Sequence, residues 1–164
     1  AVVSIEKGQE FTRLTNDFSN EGGQWTVMFW WPKDFSGLCP TELIEFNNSY
    51  MDFLDRNAKV IGASTDSEYV HLNWRKTNEA LQGVRYPMLA DTSKSLATEL
   101  GILGGDDQVA YRATYIIDPD NVIRWLCVND LGIGRNIEEV LRTLDALQSG
   151  GACPANWKKG DSTL

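Results

Sequence analysis

The residue best placed to do chemistry is Cys39. It is followed at once by Pro40 and stands eight residues beyond Trp31, which closes an apolar run, in the stretch WPKDFSGLCPTE at 31–42. A thiol in the first turn of a helix feels the positive end of the helix dipole and nearby unpaired amides, and both favour thiolate over thiol. Thiolate formation alone is a weak lever. Lowering a thiol's pKa from ~8.5 to ~6 raises its thiolate fraction at pH 7 about thirty-fold. The less basic sulfur is roughly thirteen-fold less nucleophilic at a Brønsted slope of ~0.45. The net gain is a few-fold, so a fast thiol enzyme must also orient its electrophile and stabilise charge on the leaving group. An arginine and a hydroxyl beside Cys39 would do this.

The other candidates are few. Cys39, Cys127 and Cys153 are too scattered for a secreted disulfide framework, and an odd count leaves one unpaired. That fits thiol chemistry in the cytoplasm. His71 is the sole histidine, so a Cys/His zinc site would need all three distant cysteines to converge, and neither metal nor organic cofactor is expected. No CxxC occurs, which disfavours a thioredoxin-type disulfide reductase.

The elements that must position Cys39 follow from periodicity. WTVMFWW at 25–31 is almost wholly apolar, as in a central strand, and FTRLT at 11–15 reads as another strand across the polar loop NDFSNEGGQ. From Cys39 the period changes: Leu43, Phe46, Tyr50, Phe53 and Leu54 recur at helical spacing to about Arg56, with Pro40 in the first turn, where no amide bond is lost. A strand, a loop and a helix start thus converge on Cys39, the usual place for a ligand site in an α/β sheet.

Beyond it, AKVIGAS at 58–64 predicts a buried strand and DSEYVHLNWRKTNEA a polar, solvent-facing helix. YPML at 86–89 predicts a short strand, and TSKSLATELG at 92–101 a helix capped by Thr92 and stopped by Gly101. ATYIID and NVIRWLCV flank the turn DPDN in a hairpin over roughly 113–128, with Cys127 on the face of Ile123 and Trp125 and expected in the core. A last helix starts at Asn136, with Glu139 as capping-box partner, and buries Ile137, Val140, Leu141, Leu144 and Leu147. This order describes one α/β domain with a central mixed sheet flanked by helices over 1–150, followed by a loop-like tail at 151–164.

At 164 residues and 42% hydrophobic content the chain can bury one sizeable core. A net charge of −8 disfavours nucleic acid and anionic membrane surfaces as partners. The longest apolar run is far short of the roughly 20 residues a membrane span requires, and no signal peptide is expected; the absence of an initiator Met and the ending at Leu164 suggest trimmed ends.

The motif Pro32, three residues, Ser36, two residues, Cys39 resembles the active-site motif of peroxiredoxins. The resemblance runs from about Trp25 to the end through HLNW at 71–74, YPMLAD at 86–91, AYRATYIIDP at 110–119, GIGRN at 132–136 and CPANWKKGDSTL at 153–164, and is strongest to the bacterial alkyl hydroperoxide reductase C type. It implies a thioredoxin-like fold and reduction of hydrogen peroxide and organic hydroperoxides without cofactor. By resemblance, Cys39 is the peroxidatic cysteine that becomes a sulfenic acid, Ser36 stands at the family's usual Thr, Arg112 holds thiolate and peroxide, and Pro32 shields the thiol. Glu42 and Arg135 match a supporting ionic pair, and Cys153 resembles the resolving cysteine of a partner subunit in a typical two-cysteine member.

The resemblance also implies homodimers assembled into decameric or dodecameric rings, and re-reduction by an AhpF-like flavoprotein, thioredoxin or an AhpD-like adaptor. A one-cysteine mechanism with an external thiol, and a redox-sensing or holdase oligomer, remain open readings. Three departures stand out. The stretch before Trp25 is shorter than usual. Gly37 and Leu38 replace bulkier residues. The Gly-Gly-Leu-Gly loop and Tyr-Phe tail of overoxidation-sensitive members are missing, which predicts a Cys39 resistant to overoxidation if the chain genuinely ends at Leu164.

Overall fold

A computed structural model describes residues 2–3, 10–12 and 23–164. The expected strand at 11–15 is described only over its first two residues, and most of the loop after it lies outside the described residues. In chain order the strands are β1 (Val2–Val3), β2 (Phe11–Thr12), β3 (Trp25–Trp30), β4 (Ala58–Ser64), β5 (Met88–Ala90), β6 (Leu103–Gly104), β7 (Val109–Ala110), β8 (Arg112–Ile117) and β9 (Ile123–Asn129). The helices are α1 (Cys39–Asn48), α2 (Tyr50–Asp55), α3 (Glu68–Thr77), α4 (Ser95–Glu99) and α5 (Ile137–Ser149).

Seven strands form one sheet in the order β2-β1-β5-β4-β3-β8-β9, and β6 and β7 form a separate pair. β3, β4 and β5 run parallel, whereas β8 is antiparallel to β3 and β9 to β8. The apolar run of β3 is explained by its central place, because both its faces are covered. Val27, Phe29 and Trp31 pack with Leu43 and Phe46 of α1, Phe53 of α2, Trp74 of α3 and Leu144 of α5. Met28 and Trp30 face the other way, toward Ala97 of α4, Ile102 and Tyr115. Phe29 stacks on Phe46 with ring centroids 3.8 Å apart. Gly62 of β4 is required by this aromatic wall: a Cβ there would lie 2.8 Å from Trp31 Cζ3 and 3.1 Å from Phe29 Cζ.

Several expectations need correction. The helix from Cys39 is interrupted at Ser49, where Arg85 Nη2 takes the Asn47 carbonyl at 2.7 Å, so two helices replace one. α4 begins three residues later than predicted and is capped by Asp91, whose carboxylate accepts from Leu96 N and Ala97 N, rather than by Thr92. α3 is not wholly solvent-facing, since His71, Trp74 and Arg75 are buried. In β9 a bulge pairs Ile117 with Ile123 but Ile116 with Trp125, which turns Ile123 to the face opposite Trp125 and Cys127. Cys127 is half-buried on this edge strand rather than in the core.

The last helix behaves as expected at its start, where Asn136 Oδ1 accepts from Glu139 N at 3.3 Å. The Glu139 carboxylate does not complete the capping box; Arg142 takes both its oxygens. Past Gly150 the chain folds back on α5, with Trp157 buried and its carbonyl accepting from Arg142 Nη1 at 3.0 Å. Among the described residues no helix is long and apolar enough to cross a membrane.

Candidate active site

The 31–38 loop leaves the end of β3 and delivers Cys39 as the first residue of α1, with Pro40 beside it in the opening turn. The thiol is fully buried. One turn on, Glu42 points back along the same helix face. β8 lies next to β3, and its first residue, Arg112, reaches across: Nη1 is 3.3 Å from Cys39 Sγ and donates to Glu42 Oε2 at 2.7 Å, while Nε donates to the Leu131 carbonyl at 2.8 Å.

Arg135 arrives from the connection between β9 and α5. Its Nε and its backbone N donate to Glu42 Oε1 at 2.8 and 3.0 Å, and Nη2 donates to Oε2 at 2.8 Å. Nη1 is held by the Ala113 carbonyl at 2.9 Å and Thr114 Oγ1 at 3.3 Å. The guanidinium also lies over the rings of Phe29 and Phe46, at 5.1 and 5.7 Å, an attraction that fixes its plane. Glu42, Arg112 and Arg135 are all almost completely buried. Two guanidinium charges against one carboxylate leave the cluster at +1 on the side facing the sulfur. Such a site compensates negative charge on sulfur or on an oxygen bound beside it.

The chain matches the model of the AhpC/TSA family over residues 5–126. It is 47% identical over 154 residues to alkyl hydroperoxide reductase C of Mycolicibacterium smegmatis, covering 94% of this chain and 77% of that protein. It is 41% identical to a thioredoxin peroxidase of Trypanosoma brucei rhodesiense, covering 90% and 78%. Among solved structures, reduced 2-Cys peroxiredoxin of Plasmodium vivax superposes with a TM-score of 0.88 at 34% identity, covering 99% of this chain and 86% of that one. AhpC of Mycobacterium tuberculosis superposes with a TM-score of 0.81 at 42% identity, covering 93% and 84%.

The chain belongs to the AhpC/TSA family of peroxiredoxin enzymes. Its fold is the thioredoxin-like one expected from the sequence. In this peroxiredoxin, Cys39, Arg112, Glu42 and Arg135 form one connected cluster, and Pro32 is buried in the loop that precedes the thiol. Ser36 lies in the same loop, but its hydroxyl donates to the Lys33 carbonyl at 2.9 Å, and no hydrogen bond joins it to Cys39. Cys153 is not brought to the site. It sits past the far end of α5, where its Sγ is 3.3 Å from Ser149 Oγ, and all three thiols are free.

A second buried group in the same loop has no counterpart among the sequence-derived candidates. Asp34 Oδ2 is 2.6 Å from His71 Nδ1, and Asp34 Oδ1 accepts from Trp31 Nε1 at 2.7 Å. Burial pushes the Asp34 carboxyl up, against the hydrogen bond and charge of His71. Two signals in the sequence could have found the pair: an Asp inside the active-site motif, and the chain's sole histidine on a helix one turn before a Trp.

Proposed function

We propose that this peroxiredoxin reduces hydrogen peroxide and organic hydroperoxides with Cys39 as the attacking sulfur and Cys153 of the partner subunit as the resolving one. The observation that carries the reading is the Arg112 Nη1 contact with both Cys39 Sγ and Glu42 Oε2. The Cys39 thiolate attacks the nearer peroxide oxygen; an S–O bond forms as the O–O bond breaks, and the departing oxygen takes a proton to leave as water or alcohol. The sulfur is left as sulfenic acid. Arg112 faces the charge that moves from sulfur to the departing oxygen, and Arg135 and Glu42 hold that guanidinium in place. Pro32 keeps water from the thiol, and the Ser36 hydroxyl donates to the peroxide after turning from the Lys33 carbonyl.

Resolution then condenses the sulfenic acid with a second thiol, which forms a disulfide and releases water. A disulfide needs Cα atoms within about 7 Å. The tail at 151–164 carries Cys153 beyond the far end of a 13-residue helix, about 20 Å long at 1.5 Å per residue, whose near end is tied to Glu42 through Arg135. This favours a thiol from a second chain. An apolar row on edge strand β9, with Leu126 49% and Val128 47% exposed, supports a homodimer, and assembly of dimers into a ring extends the same reading. A cytoplasmic dithiol donor, an AhpF-like flavoprotein, thioredoxin or an AhpD-like adaptor, returns the disulfide to two thiols.

Cys39→Ser tests the first step: peroxide consumption should vanish, and retained turnover would refute the assignment. A non-reducing gel of peroxide-treated protein tests the second. A disulfide dimer lost in Cys153→Ser supports resolution by Cys153, while a dimer that persists would point to another thiol.

A further inference from the structure

Asp34, in the loop that carries the sulfur, and His71 of α3 lie outside the cluster that contacts it, yet both side chains are fully inaccessible. A buried pair of this kind is costly unless each polar atom is satisfied. Here each one is. Asp34 Oδ1 accepts from Trp31 Nε1 and Oδ2 meets His71 Nδ1. His71 Nε2 faces the Leu89 carbonyl of β5 at 3.2 Å, and because a carbonyl can only accept, that nitrogen carries its hydrogen. The other charged group facing the pair is Asp66, whose carboxylate accepts from Asp34 backbone N at 2.9 Å and from the Ser64 hydroxyl at 2.8 Å.

The 2.6 Å contact between Oδ2 and Nδ1 holds one proton between the two side chains.

The next residue shows what the bond holds. Phe35 has φ 56°, a left-handed backbone that costs a side-chain-bearing residue about 1–2 kcal/mol and persists only where neighbours enforce it. Phe35 is itself 55% exposed, its ring meeting Trp74 of α3 at 5.9 Å between centroids. On its other side it is held by Asp34, tied through its carboxylate to His71 of α3 and to Trp31 and through its amide to Asp66 in the turn after β4.

We infer that Asp34 and His71 are positioning residues of the peroxidase reaction: their hydrogen bond clasps the 31–38 loop to α3 and so seats Cys39 against Arg112. This rests on the assignment of Cys39 above and deepens it.

The experiment measures the second-order rate of Cys39 oxidation by hydrogen peroxide at pH 7, by timed quench and alkylation of the remaining thiol. Asp34→Ala removes the clasp and should slow oxidation about tenfold or more at pH 7, given the sensitivity of such reactions to sub-ångström placement. Asp34→Asn offers its oxygen to Trp31 Nε1 and its amide to His71 Nδ1, so the clasp is kept without the carboxylate. It should restore the rate to within about threefold of wild type. The inference is overturned if Asp34→Ala reacts like wild type, or if Asp34→Asn is as slow as Asp34→Ala. Should Asp34→Ala not fold, as judged by circular dichroism, Asp34→Ser takes its place in the same comparison. Cys39→Ser serves as the control: oxidation surviving there would overturn the site assignment, whereas its loss beside an unaffected Asp34→Ala would overturn only the clasp.

Discussion

Arg112 offers one nitrogen to two acceptors, the Cys39 sulfur and a Glu42 oxygen, while its Nε is anchored on the Leu131 carbonyl. That geometry uses the planar fork of arginine, which a lysine cannot reproduce. Arg112→Lys should therefore slow sulfenic acid formation about 10²-fold, the usual scale for losing one oriented donor, with little change in melting temperature; stopped-flow oxidation would measure it. Of this site, Cys39 was legible from local pattern, because a strand, a loop and a proline in the first helical turn announce a helix start. Its partners were not legible in that way. The Arg112–Cys39 contact spans 73 residues, the Asp34–His71 contact 37, and no periodicity joins such positions. Arg112, Glu42 and Arg135 are marked only by the family resemblance, and Asp34, although it stands between Pro32 and Cys39, has its partner on another element, α3.

Elements were read well where one period ran unbroken, as in β3, β4 and α5, and poorly where a side chain from another element intervened. Arg85 drawing off the Asn47 carbonyl ended α1 early, Asp91 displaced Thr92 as a cap, and one extra residue in β9 reversed the face of Ile123. The tie between α2 and α5 is of the same tertiary kind. Arg56 Nε and Nη2 hold both Asp145 oxygens at 2.8 and 3.0 Å, and Lys159 adds a third contact. Burial alone would raise the Asp145 carboxyl, but Arg56 and Lys159 outweigh it and hold it below the usual range. A carboxyl depressed in the folded state contributes stability above its unfolded value of about 3.9, and that contribution is lost as pH falls through the folded value. Asp145→Asn should cost about 1–2 kcal/mol near neutrality, with the difference from wild type shrinking below about pH 4; urea titrations at several pH values would show it. Gly62→Ala, which drives a methyl into Trp31 and Phe29, should cost about 1–3 kcal/mol by the same titration.

For the molecule as a whole, the open edge of β9 is the most informative surface. An edge strand carrying Leu126 and Val128 in the open is a template for another copy of the chain. Leu126→Glu should shift the protein toward monomer in analytical ultracentrifugation and weaken the peroxide-induced disulfide dimer, while leaving sulfenic acid formation at Cys39 intact. The placement of Cys153 past the far end of α5 has a further consequence, for the order of the reaction. If Cys153 of the partner subunit resolves the sulfenic acid, as proposed, the attack on peroxide needs one chain and the step that follows needs two. Dilution below the dissociation constant of the dimer should leave the first rate untouched and slow the second in proportion, so that the sulfenic acid lingers. How long the oxidised sulfur survives would then depend on how crowded its own kind is, and a dilution series with a sulfenic acid trap would read that dependence directly.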